Sequence, residues 1–259
     1  MRGIDDNNRR WWVLAAMGGV LILIVLDETI LGVALPTLRE ELGISEIESH
    51  WVVNSYLLVF AGLVAAGGRF GDILGLRNLF IIGVFIFGIA SLLCGFMNDG
   101  TMLIAMRGVQ GIGAAIILPA SMAMLTIVFP ENERGMALGA YGAIGTIGLI
   151  LGPLAGGALV ETLSWRWIFW INPVIVIAVA LVVIKAWINP PRLAPSTHFD
   201  FGGLVSLIAG LGLIIFALMQ GPDWGWQNPT VWIPLVLGIL AATQFILIEL
   251  RAKQPLIEV

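Results

Sequence analysis

Two adjacent carboxylates, Asp27 and Glu28, stand inside an otherwise apolar run from Trp11 to Leu35. That run can cross a bilayer, which takes about 20 apolar residues. A charge near the middle of such a span costs about 2.5–3.5 kcal/mol on insertion scales, so two acids there point to function. A third charge, Arg107, interrupts the apolar run 101–129. At about 1.5 Å per helical residue, the depths of Asp27 and Arg107 differ by about 5 Å. They can meet across a bundle interior, where each relieves the other's burial. Gln110 follows Arg107 on nearly the same helix face, and Asn54 and Tyr56 fall at comparable depth in the run 51–68. Together these groups can line a wet cavity. The chemistry such a set supports is proton exchange: burial favours the neutral acid, a nearby guanidinium favours the carboxylate, and an acid exposed to each in turn changes state. A static ion pair between two helices, or acids that reach to the interface, are the plainer alternatives, and these residues alone leave them open. Asp27 and Glu28 lie about 100° apart around a helix, so they cannot serve one partner.

The elements that must position these groups are membrane spans. The chain has 259 residues, of which 59% are hydrophobic and 12% charged, with a mean hydropathy of +0.98. A soluble domain carries about twice that charge, so the composition predicts an all-α, polytopic membrane helix bundle. Eight spans are expected, near 11–36, 51–68, 79–97, 101–129, 136–160, 167–188, 201–220 and 231–249. A turn is expected around Arg69, Asp72 and Arg77. Tryptophans such as Trp11, Trp51, Trp165 and Trp224 cluster near span ends, as interfacial aromatics do. With the N-terminus in the cytoplasm, ten Lys and Arg side chains fall in inside loops against two outside, Arg39 and Arg166. That asymmetry sets the orientation; the expected location is the cytoplasmic membrane. The first span is read as retained, because Asp27 and Glu28 would break a cleavable leader.

In the fifth span Gly142, Gly145, Gly148, Gly152 and Gly156 recur at spacings of three and four. They draw a bare stripe along which another helix can approach closely, and Pro153 removes a backbone hydrogen bond beside it. A plain packing face and a helix that slides or bends both fit. No enzyme constellation is visible: there is no paired His/Cys set, no phosphate loop and no nucleophile flanked by a base. The single cysteine, Cys94, can form neither an internal disulfide nor a metal cluster. Gly67–Gly71 follows an apolar span rather than a strand, so it is not read as a nucleotide loop. No cofactor, metal or nucleic-acid partner is expected.

The sequence resembles the major facilitator superfamily, and more closely its fourteen-span drug:proton antiporters of the EmrB/QacA type. Leu26-Asp27-Glu28-Thr29-Ile30 with Val33-Ala34-Leu35-Pro36 is similar to that family's first-span motif, which implies proton coupling at Asp27 and a weaker part in cationic-substrate contact for Glu28. Gly68, Asp72, Gly75 and Arg77 match the loop after the second span, which implies a cytoplasmic gate, although Ile73 and Leu76 stand where basic residues are common. Arg107-Gly108-Val109-Gln110-Gly111 resembles the fourth-span motif, whose arginine is associated with proton transfer. Gly148, Gly152, Pro153, Gly156 and Gly157 match the fifth-span antiporter motif, the most specific sign of export. Ser164 to Pro173 also looks typical of the subfamily. The pair of spans entered through Phe199–Gly203 resembles the two extra helices of fourteen-span members.

The resemblance implies a six-helix bundle at 1–188, a cytoplasmic linker at 189–200, two accessory helices at 201–250, and at 251–259 the start of a link to a C-terminal half. Superfamily transporters hold substrate between two six-span halves. The chain is therefore expected to be an N-terminal part, to pair with a second copy, or to meet a separate second half; the first is favoured. The implied function is proton-coupled efflux of amphipathic, mainly cationic drugs. The alternatives are export of an endogenous metabolite or siderophore, and a non-transporting membrane subunit.

Overall fold

The computed structural model describes residues 5, 8–188 and 201–250, without the side chains of 66, 68, 69, 72, 73 and 201. The expected segments 189–200 and 251–259 lie outside the described residues. Among the described residues eight α-helices follow in order: α1 (Arg9–Leu42), α2 (Glu46–Leu74), α3 (Leu76–Cys94), α4 (Gly100–Val128), α5 (Arg134–Thr162), α6 (Arg166–Ala186), α7 (Phe201–Trp224) and α8 (Pro229–Glu249). All eight contain a stretch long and apolar enough to cross a membrane. No strand occurs among the described residues. The fold is the all-α membrane bundle that the composition predicts.

Two helices outrun their predicted ends. α1 continues through Pro36 to Leu42, where Gly43 (φ 63°) stops it and returns its N–H to the Arg39 carbonyl. The extension is polar, so hydropathy ends the span before the helix ends. α2 starts on a capping box, with Ser45 accepting from the Glu48 N–H and Glu48 accepting from the Ser45 N–H. It then runs on to Leu74, so the expected turn around Arg69 and Asp72 is helical, and only Gly75 (φ 80°) turns. Glycine inside a helix costs about 1 kcal/mol relative to alanine, and Gly67 is tolerated because α2 presses on α4 there. A side chain at 67 would strike the Ala115 carbonyl and the Pro119 ring. Gly111 does the same from the α4 side, its missing Cβ falling 2.6 Å from the Tyr56 carbonyl.

α1 packs against α5, α6 and α4, and α4 against α2 and α3; α3 also meets α6. α7 and α8 pair with each other, and α7 docks on α2. The outward faces of α3, α5, α6 and α8 are apolar, carrying for example Phe85, Leu154, Val174 and Leu240. Hydrocarbon is as apolar as a protein core, so these faces need no further cover in a bilayer.

The interior is layered. One apolar cluster gathers Leu23, Ile24, Phe87, Ala114 and Val176. A second gathers Ile30, Leu31, Val52, Leu103 and Phe169. Each of α1, α3, α4 and α6 places polar side chains between these two clusters: Asp27, Ser91, Arg107 with Gln110, and Asn172. All five are buried.

At the C-terminal end of α1 a smaller polar clamp ties three connections together. Glu41 accepts from the Trp165 indole and from Arg166, both at 2.8 Å, and Arg166 also donates to Asn98 at 2.9 Å. Glu41 and Arg166 are partly exposed, so their ion pair contributes little. Arg166→Ala is expected to cost no more than about 1 kcal/mol, read as a small drop in thermal midpoint in detergent.

Candidate functional site: a buried polar layer between two apolar clusters

Asp27 is 1% exposed and Arg107 is fully buried. Arg107 Nη1 donates to Asp27 Oδ2 in an ion pair. The same nitrogen donates to Gln110 Oε1 at 2.7 Å, and Gln110 Nε2 returns to Asp27 Oδ1 at 2.8 Å. This three-membered ring follows from the helix repeat: residues three apart on α4 share a face, so one turn presents guanidinium and amide to one carboxylate. Arg107 Nε donates to the Val52 carbonyl at 3.1 Å, and the guanidinium lies over the Tyr56 ring, 4.4 Å from its centre. Stacking on a ring while several N–H groups of one plane donate in different directions suits arginine, where lysine would be a point charge.

A buried pair stripped of water is favourable only when its remaining lone pairs are filled. Asn172 of α6 fills one, its amide nitrogen donating to Asp27 Oδ1 at 2.8 Å. It also donates to Ser91 Oγ at 2.9 Å, and Ser91 donates to the Phe169 carbonyl at 2.9 Å. The carboxylate of α1 is thus held from α4 and α6 at once, with α3 behind.

Of the six residues expected to share this chemistry, the structure joins four: Asp27, Arg107, Gln110 and Tyr56. Tyr56 and Gln110 are sealed within the layer and line no open cavity in this conformation. Asn54 is half-buried on a different face of α2, about 200° from Tyr56, and makes no hydrogen bond with the described residues. Glu28 is half-buried and likewise forms no hydrogen bond with them, although Arg107 and Asp27 lie within electrostatic reach. Beyond it by one turn, the missing Cβ of Gly32 meets nothing within 4 Å. Glu28 therefore borders open space while Asp27 faces inward.

Gly68 and Asp72 belong to α2 by backbone, and the Asp72 side chain lies outside the described residues. Arg77 is turned onto its own bundle: it donates to the Ile184 carbonyl near the C-terminal end of α6, at 3.3 Å. The fifth-span glycines divide. Gly145, Gly148, Gly152 and Gly156 press against Leu21, Ile22, Thr29 and Ile30 of α1, whereas Gly142 and Gly157 meet nothing within 4 Å, and Pro153 is exposed. An apolar groove of about 380 Å³ between α3 and α4 is lined by Ile82, Phe85, Ile89 and Val109, among others. With no polar anchor, it is no candidate for charged cargo. Among the described residues no cluster could hold a metal ion.

Ser91 and Asn172 are the members that sequence reasoning missed. The available signal was an asparagine directly before a proline in an apolar span; a lone serine mid-span carries almost none.

Residues 17–248 match the model of the Major Facilitator Superfamily. The chain belongs to the major facilitator superfamily. Its members are membrane transporters and not enzymes. This superfamily chain is 39% identical over 239 residues to the cephamycin export protein CmcT of Amycolatopsis lactamdurans, covering 91% of the chain and 49% of that protein. It is 38% identical over 237 residues to the puromycin resistance protein pur8 of Streptomyces alboniger, covering 91% and 47%. It is 34% identical over 234 residues to the multidrug transporter MdtP of Bacillus subtilis, covering 90% and 43%. The chain thus spans a little under half the length of these relatives. A bacterial homologue of the human lysosomal transporter Spinster, inward-facing and occupied, superposes with a TM-score of 0.63 at 19% identity, over 97% of the chain and 64% of that structure. That likeness concerns the fold.

Proposed function

We propose that the chain forms the N-terminal part of a proton-coupled exporter of amphipathic, mainly cationic compounds in the cytoplasmic membrane, with its N-terminus in the cytoplasm. The observation that carries this reading is the buried ion pair of Asp27 and Arg107, held between two apolar clusters at mid-span. Relatives named for antibiotic resistance and multidrug transport support export. In the proposed cycle Asp27 takes a proton when the cavity opens to the proton-rich side. Neutralised, it loosens its hold on Arg107, and it returns to the carboxylate when the cavity opens inward. Cargo leaves in exchange. The other half of the transporter, on the same or another chain, supplies the second wall of the cavity.

The test is export of a fluorescent cation into everted vesicles carrying the complete gene product, with and without an ionophore that collapses the proton gradient. Export that persists after collapse overturns proton coupling. Glu28, half-buried beside open space, is the proposed contact for cationic cargo. Glu28→Gln is expected to raise the apparent KM for a monovalent cation by about tenfold, the equivalent of about 1.4 kcal/mol, and to leave a neutral cargo unchanged. Equal effects on both would remove Glu28 from recognition. A second reading, export of an endogenous product, draws on the relative named for cephamycin export; competition between candidate cargoes separates the two.

A further inference from the structure

The polar layer ends on α6 where that helix is one hydrogen bond short. Pro173 lies inside α6 and has no N–H, so the Phe169 carbonyl four residues earlier loses its helical donor. Ser91 of α3 fills the gap, its hydroxyl donating to that carbonyl at 2.9 Å. A hydroxyl carries one proton. With it committed to Phe169, Ser91 meets Asn172 as an acceptor, and the Asn172 amide nitrogen donates to it at 2.9 Å. The same nitrogen donates to Asp27 Oδ1 at 2.8 Å. The orientation of Asn172 is therefore set from the far side, by a carbonyl that a proline left open.

This orientation suits an ionised Asp27, which can only accept. A neutral Asp27 must donate its proton to some oxygen. If Oδ1 carries the proton, the Asn172 nitrogen faces it the wrong way. Half a turn of the amide brings its oxygen to Asp27, and also to Ser91, whose hydroxyl then turns from Phe169 toward that oxygen. Each link reverses, and the carbonyl beside Pro173 is released. We propose that Asn172 is a positioning residue for Asp27, whose amide orientation carries the charge state of that carboxyl through Ser91 to the proline break in α6. Its use in a transport cycle rests on the proton-coupled reading above; the alignment of Asp27 does not.

The charged and titratable groups facing Asp27 are Arg107 of α4, Tyr56 of α2, Cys94 of α3 and the neighbouring Glu28. Ser91 makes no hydrogen bond to Asp27. The experiment uses the complete gene product in native membranes, on a Glu28→Gln background that leaves one reactive acid at this depth. Dicyclohexylcarbodiimide adds to neutral carboxyl groups in apolar surroundings, and mass spectrometry reads the labelled fraction of Asp27 at neutral pH. Ser91→Ala frees the amide to turn and is expected to raise that fraction about fivefold, the population change carried by one net hydrogen bond. Ser91→Thr keeps the hydroxyl and is expected to label like the parent. Unchanged labelling in Ser91→Ala, or an equal rise in Ser91→Thr, would overturn the proposal. If Ser91→Ala fails to accumulate, Pro173→Ala with Ser91→Ala returns a helical N–H to the Phe169 carbonyl, and the same rise is expected there. A rise in labelling together with export indifferent to the proton gradient would keep the alignment and discard proton coupling.

Discussion

Asp27→Asn is expected to reduce proton-driven export of a fluorescent cation to background in everted vesicles while the protein still reaches the membrane. The replacement keeps the size of the side chain and an oxygen for Gln110 and Asn172 to reach. It removes the group that can gain and lose a proton. It also leaves the fully buried Arg107 without its counter-charge, and breaking a buried pair from one side costs about 3–5 kcal/mol. Lost export could therefore reflect lost stability. The double variant Asp27→Asn with Arg107→Gln separates the two, because removing both charges removes the unpaired one. It is expected to recover most of the thermal midpoint and none of the export. Full export by Asp27→Asn would strike the carboxyl from the mechanism. Export regained in the double variant would make the pair structural.

Gly152→Leu is expected to be the most damaging single change on α5, with Gly157→Ala close to neutral. Both glycines belong to the same motif, and the structure parts them. A Cβ at 152 would fall on Thr29 Oγ1 and lie 2.7 Å from the Thr29 Cβ. The hydroxyl is tied to the Val25 carbonyl at 2.9 Å, and the Cβ cannot yield unless the α1 backbone moves. Overpacking of this kind costs about 1–3 kcal/mol or more. Much less folded Gly152→Leu should survive detergent extraction and gel filtration than parent or Gly157→Ala. The added methyl at 157 meets nothing within 4 Å. Equal behaviour of the two variants would mean that α1 and α5 do not meet along this stripe.

Much of this site is legible in the residue pattern alone. A charge in an apolar run announces itself, so Asp27 and Arg107 stood out, and helical spacing put Gln110 beside Arg107. The glycine spacing on α5 marked a close helix contact without naming α1 as its partner. Ser91 and Asn172 leave little trace in the sequence, because a hydroxyl or amide in a membrane helix often bonds its own backbone, as Ser206 does to Gly202. Asn54 shares the expected depth but lies on a different face of α2 from Tyr56, a distinction that depth alone does not carry. The turn expected around Arg69, Asp72 and Arg77 narrows to Gly75, because α2 stays helical to Leu74.

Residue order alone was enough to show eight helical membrane spans among the described residues and the relative depth of the charges within them, because length and hydropathy answer directly to the thickness of a bilayer. Packing settles which way each helix is turned. In water an amphipathic stripe reveals the buried face; in hydrocarbon the face against lipid is as apolar as the face against protein, so rotation leaves almost no trace in the residue pattern. Only the packed bundle shows that Asp27 meets Gln110 and Asn172 as well as Arg107, that Glu28 turns toward open space, and that a serine on α3 supplies what a proline took from α6.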